Sequence, residues 1–127
     1  MKSNKVSIAV ILLITFASIN ILGADKVKIF YIPFCILTSI PVTDKDIEKR
    51  SHYKTINRDK KSIEKLKIII KQCSPGKFNE SMVRAEVKFP DTTYYFDAFG
   101  GMKKGNESFQ VASATIEKEF MQIFKIK

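Results

Sequence analysis

The hydrophobic pattern changes period along this chain, and each change marks an element. Behind Lys2 and Lys5, residues 6–22 form an almost unbroken apolar run closed by Gly23 and Ala24. Residues 26–34 are rich in β-branched and aromatic types and apolar on both alternating faces from Ile29, which predicts a strand covered on both sides until Pro33 ends its pairing. Thr43, with Asp46 three positions later, predicts the N-cap of a short helix through Arg50. His52 to Asn57 alternates weakly, as a polar edge strand would. Over 59–72, Ile63, Leu66, Ile70 and then Cys73 recur at spacings of three and four, the stripe of an amphipathic helix. Ser74-Pro75-Gly76 stops it.

The second half switches to a period of two. Val83, Ala85, Val87 and Phe89 share one side of a strand, while Arg84, Glu86 and Lys88 share the other, which the alternation assigns to solvent. Pro90-Asp91-Thr92 is a turn, and Thr92–Phe99, rich in threonine and aromatics, is the antiparallel partner. Gly100-Gly101 breaks that strand; Lys103–Asn106 reads as a second turn and Phe109–Val111 as a short returning strand. Ser113 is the expected cap of a last helix whose apolar stripe is Ile116, Phe120, Ile123 and Phe124. This order predicts an α+β fold. It is a single small domain over 25–127, with one twisted, mostly antiparallel sheet and the helices packed on one face.

The N-terminal run has the form of a secretory signal: cations, an apolar middle and small residues at the cut, giving a signal peptide over 1–24. The reading opposed to it is an uncleaved anchor, since a span needs about 20 apolar residues, although Ser7, Thr15, Ser18 and Asn20 interrupt the run. Export places the domain in the periplasm or outside the cell. There, Cys35 and Cys73 would form one structural disulfide closing a loop of about 39 residues, for which chain entropy gives roughly 3–4 kcal/mol. Cleavage removes two lysines and no acid, lowering the formal charge from +9 to +7. Such an excess favours encounter with anionic partners, an acidic protein above all, and argues nothing about fold.

Catalytic patterns are sparse. His52 is the sole histidine and has no serine or cysteine set around it that spacing can justify. Asp97 interrupts an aromatic strand, Tyr94–Phe99, and reads as its outward side. Gly100-Gly101 before Lys103 lacks the spacing of a phosphate loop, and Asp44 and Asp46 lack the rest of a calcium loop. Two cysteines and one histidine fall short of a zinc cage. The expectation is a protein that is not an enzyme and uses no cofactor or metal. Asn79 and Asn106 head two glycosylation triplets in expected loops.

The general layout, small and exported with a sheet, helices and no catalytic set, is similar to that of periplasmic immunity proteins and lysozyme-inhibitor-like proteins. These groups share a style and no motif, so no residue role carries over. The expected function is a non-catalytic exported binding protein, an inhibitor or immunity type that neutralises a toxin or hydrolase. The expected contact surface is the polar hairpin side and its turns: Arg84, Glu86, Lys88, Tyr95, Asp97, Lys103 and Lys104. Nucleic acid is not an expected partner. The readings set against it are a periplasmic small-ligand-binding or envelope accessory protein, and a small secreted hydrolase using Asp97 with His52 or Tyr95.

Overall fold

Strand β1 (Val27–Tyr31) sits second in a seven-stranded sheet and pairs on both sides. The computed structural model describes residues 26–57 and 59–126; the expected signal peptide, its cleavage site and Arg58 lie outside the described residues. The sheet is antiparallel throughout, in the order β2-β1-β4-β5-β6-β7-β3. Its other strands are β2 (Tyr53–Asn57), β3 (Ser74–Pro75), β4 (Val83–Lys88), β5 (Thr93–Asp97), β6 (Gly101–Lys104) and β7 (Glu107–Gln110). Among the described residues three helices accompany the sheet: α1 (Ile47–Arg50), α2 (Lys60–Lys71) and α3 (Ser113–Ile123). The α+β class and the antiparallel sheet are thus as the pattern predicts.

On one face, Val27, Ile29 and Tyr31 of β1, Ala85 and Val87 of β4, and Phe96 of β5 meet Ile63, Leu66 and Ile70 of α2 and Ile116 and Phe120 of α3. These are the stripes the sequence assigns to the core. Asp59 caps α2 by accepting from the Ser62 amide (3.3 Å) and hydroxyl (2.7 Å). The expected cap of α3 is displaced by one: Ala112 takes that position and Ser113 begins the helix. Glu117 ties α3 to β1 instead, accepting from the Tyr31 phenol and the Phe34 amide, each at 2.6 Å. Burial, and then this carboxylate, pushes ionisation of the Tyr31 phenol well above the usual range.

The sheet's second face is covered too, which corrects the expectation of helices on one face. Residues 32–50 fold back over it, and α1 packs on β4 and β1. Ile32, Val42, Ile47 and Val83 form a second buried cluster, flanked by Phe30, Ile36, Phe78 and Tyr95. A β-bulge between Val83 and Ala85 makes this possible: it turns Val83 into the second cluster, while Ala85 stays in the first. The turn expected at Lys103–Asn106 is the tip of a full hairpin, β6–β7, with Gly105 at φ +59°. Gly101 opens β6 because any Cβ there would collide with the Asp97 carboxylate and the Lys77 carbonyl.

The disulfide is not formed; Cys35 and Cys73 are free, the first exposed and the second half-buried. A bridge needs the two Cα atoms within about 7 Å. Cys73 leads directly into β3, which pairs at the far edge of the sheet, five strand places from β1 and its Cys35 loop. At the usual spacing that is about 24 Å. Cys73 does point its helix face at the core, as its place in the stripe implies, but only to pack there. A thiol reagent is therefore expected to titrate both sulfhydryls in the non-reduced protein, Cys35 rapidly and Cys73 slowly; silence from both would restore the bridge.

Candidate functional site

All the residues expected to form an outward contact surface except Lys104, which alternates to the other side of β6 from Lys103, lie on the second face, and the cover of residues 32–50 changes what most of them can do. Arg84 is 1% exposed, Glu86 0% and Asp97 2%, so the solvated β4 side expected from alternation is corrected to a buried one. Lys88 and Tyr95 are half-buried, and Lys104 is exposed. The structure brings Glu86, Lys88, Tyr95 and Lys103 together; it keeps Arg84 and Asp97 for other work.

Asp97 organises backbone. Its Oδ1 accepts from the amides of Phe99 (2.8 Å) and Gly101 (2.7 Å), and its Oδ2 from that of Asn79 (2.8 Å). One carboxylate thereby ties the β5–β6 turn to the loop before β4. It is not brought to His52 either. That histidine immediately precedes β2, three strand places from β5, so about 14 Å of sheet intervenes at normal spacing.

Lys103 is held from every side. Its ammonium is 2.9 Å from Asp44 and 3.6 Å from Glu80, and it stands over the rings of Phe78 (5.3 Å) and Tyr95 (5.4 Å). Only 15% of its side chain is exposed, against 33% for Asp44. The hydrogen bond from Lys103 holds the Asp44 carboxyl below its ordinary range. Lys103 thus clamps the covering segment to the sheet. Removing both charges in a Lys103→Met/Asp44→Asn cycle is expected to reveal a coupling of about 1–2 kcal/mol, because the pair is largely shielded and lies against two π faces. Coupling near zero in urea unfolding would make the contact incidental.

Glu86 lies at the centre of the second polar group. Among the described residues neither of its oxygens has a well-formed hydrogen bond, and the cation paired with it is Lys88, 4.0 Å away. Lys88 instead donates to Glu48 of α1 at 2.8 Å. Burial chiefly, with the Glu48 carboxylate added, pushes the Glu86 carboxyl up to about 7, against some relief from the Tyr95 phenol. Glu48 moves the opposite way, held down by the Lys88 hydrogen bond and then by Glu86. The arrangement is a carboxyl–carboxylate pair closed by one ammonium. Sequence reasoning missed Glu48 and Asp44 because their partners lie 40 and 59 positions along the chain, and Arg50 because its partners are backbone carbonyls, which no side-chain spacing signals.

Past this polar layer, the loop between β1 and α1 carries Leu37, 86% exposed, and Ile40, 63% exposed. The loop is pinned at its far end by Arg50, whose Nη1 donates to the carbonyls of Pro41 (2.8 Å) and Ile40 (3.2 Å). On the opposite side of the molecule an open groove of about 300 Å³ runs between α2 and α3, lined by Lys65, Ile68, Ile69, Lys118, Glu119 and Gln122 among others. Among the described residues no cluster of histidine, cysteine and acidic side chains could hold a metal ion, and no helix is long and apolar enough to cross a membrane. Comparison with protein-family models, curated proteins and solved structures finds no match.

Proposed function

We propose that this chain is a non-catalytic exported binding protein, of inhibitor or immunity type, that holds an acidic toxin or hydrolase. The observation that carries the reading is the β1–α1 loop: Leu37 and Ile40 face solvent on a segment tied down at both ends, by Glu117 at Phe34 and by Arg50 at Ile40 and Pro41. Large apolar side chains exposed on a fixed loop suit capture by a partner, because little ordering entropy remains to be lost on binding. The basic excess adds long-range attraction to an acidic surface and speeds encounter.

This reading places the contact on that loop, with Arg50 beside it, instead of on the hairpin side as a whole. Export now rests on the pattern of residues 1–24, since the cysteines lend it no support. The groove between α2 and α3 favours the small-ligand reading, but its volume is at the lower end for ligand pockets and charged side chains line it.

The test is affinity capture from envelope extract at modest salt, with wild type beside a Leu37→Asp/Ile40→Asp variant. Support requires one protein held by the wild type, lost from the variant and weakened by salt, whose hydrolytic or toxic activity falls when this chain is added. No captured protein, or equal capture by the variant, removes the proposal.

A further inference from the structure

We propose that Arg84, with Arg50, is a receptor for an oxyanion, a carboxylate or a phosphate group. Arg84 is the largest of the fully buried side chains, and its guanidinium has five N–H donors to place. Its Nη1 donates to the carbonyl of Val83 at 3.0 Å, its own neighbour, while its Nε is buried with no acceptor among the described residues. No carboxylate among the described residues forms an ion pair with it. A buried charge without a counter-ion costs the fold several kcal/mol. Other acids of the second face are committed elsewhere: Asp97 to backbone amides, Glu48 to Lys88 and Asp44 to Lys103.

The surroundings fit an incoming anion. Arg84 falls within the β4 bulge, where an extra residue re-aims its side chain. Arg50, on the helix packed against β4, holds the Pro41 carbonyl, and the next residue, Val42, accepts from the Val83 amide, which sets Arg50 beside the Arg84 segment; after burial itself, Arg50 disfavours the charged form of Arg84. Arg50 is half-exposed and spends one nitrogen on the Ile40 and Pro41 carbonyls. Two guanidinium groups of like charge, each with one nitrogen bonded to backbone carbonyls and no carboxylate paired to it among the described residues, gain most from a group presenting two or more oxygens, which each can grip in a bidentate fork. Leu37 and Ile40 stand exposed on the adjoining loop, so an anion arriving on a protein surface would be ringed by apolar contact, the setting in which a desolvated arginine contributes most. Taken as a carboxylate of the acidic partner, the ligand rests on the function proposed above; taken as phosphate, it does not.

The buried Nε–H of Arg84 reports directly on occupancy. Full-length ¹⁵N-labelled protein is titrated with acetate, with inorganic phosphate and with chloride at matched ionic strength, following that resonance. A saturable shift with an oxyanion and none with chloride is expected, together with a roughly tenfold weaker response in Arg50→Gln, the loss of about one charge-assisted hydrogen bond. Saturation by acetate at lower concentration than phosphate assigns the site to a partner's carboxylate; the reverse order assigns it to a phosphate-bearing ligand. A flat titration with both oxyanions, or an Arg50→Gln response equal to wild type, overturns the receptor. Because the titration needs no partner, a failed capture experiment leaves it standing, and a flat titration beside a captured partner removes the receptor alone.

Discussion

Replacing Asp97 by alanine is expected to destabilise the fold by about 3–5 kcal/mol, a large share of the roughly 5–15 kcal/mol that holds an ordinary domain folded. The carboxylate satisfies three backbone amides, those of Asn79, Phe99 and Gly101. Each bond to a charged acceptor is worth about 1.5–3 kcal/mol, and the alanine variant leaves the buried donors unmatched. Asp97→Asn separates the contributions. Its remaining oxygen still serves Phe99 and Gly101, while its amide confronts the Asn79 N–H, donor against donor. Asparagine should therefore lose about half as much as alanine. Urea unfolding of the two variants reads both numbers; a loss below about 1 kcal/mol in Asp97→Ala would mean that water replaces the carboxylate at no cost.

Stability is expected to fall as the pH rises from about 4.5 to about 7, and Glu86 is the source. Its folded carboxyl titrates near 7 and its unfolded one near 4.5. Between these values the folded chain keeps a proton that the unfolded chain has released. Raising the pH therefore favours the unfolded state, and the effect levels off above the folded value. The separation corresponds to about 3 kcal/mol at most, and Glu48, held below its ordinary value, titrates under this window and leaves it unchanged. Glu86→Gln is uncharged at every pH and keeps a donor that can face Glu48. It should be more stable than wild type by about 2–3 kcal/mol at pH 8 and nearly equal to it at pH 4.5. Urea midpoints at the two values decide this. A constant difference across the range would show that Glu86 is not held neutral by its burial.

These two residues also mark where the sequence misleads. Alternation along β4 correctly separates Ala85 and Val87 from Arg84, Glu86 and Lys88. Polarity then suggests solvent for the second group, but polarity reports only that such residues are usually solvated. Arg84 and Glu86 are buried because residues 32–50 return across the sheet, and nothing local in the β4 pattern records that return. Asp97 looked like the outward side of an aromatic strand and proved to be a backbone anchor, its partners lying up to 18 positions away. The cysteines mislead for the same reason: their even number and the place of Cys73 at the end of a core-facing stripe favour a bridge, while sheet order, which composition does not encode, sends Cys73 to an edge five strand places from β1 and Cys35.

By itself the sequence determined the elements whose signals are short-range. The stripe of α2 at Ile63, Leu66 and Ile70, that of α3 at Ile116 and Phe120, the β4–β5 hairpin at Pro90-Asp91-Thr92 and the weak edge strand at Tyr53–Asn57 all follow from spacing and turn chemistry within a few residues. Tertiary structure decided the second buried face, the Lys103 clamp, the Glu48–Glu86 pair and the unpaired Arg84. Each depends on which segment lies over the sheet, a choice made by the summed burial of Ile32, Val42 and Ile47 against Val83. Electrostatic contacts follow such packing; they form between groups that burial has already brought together, so they become legible only after the chain has closed on itself.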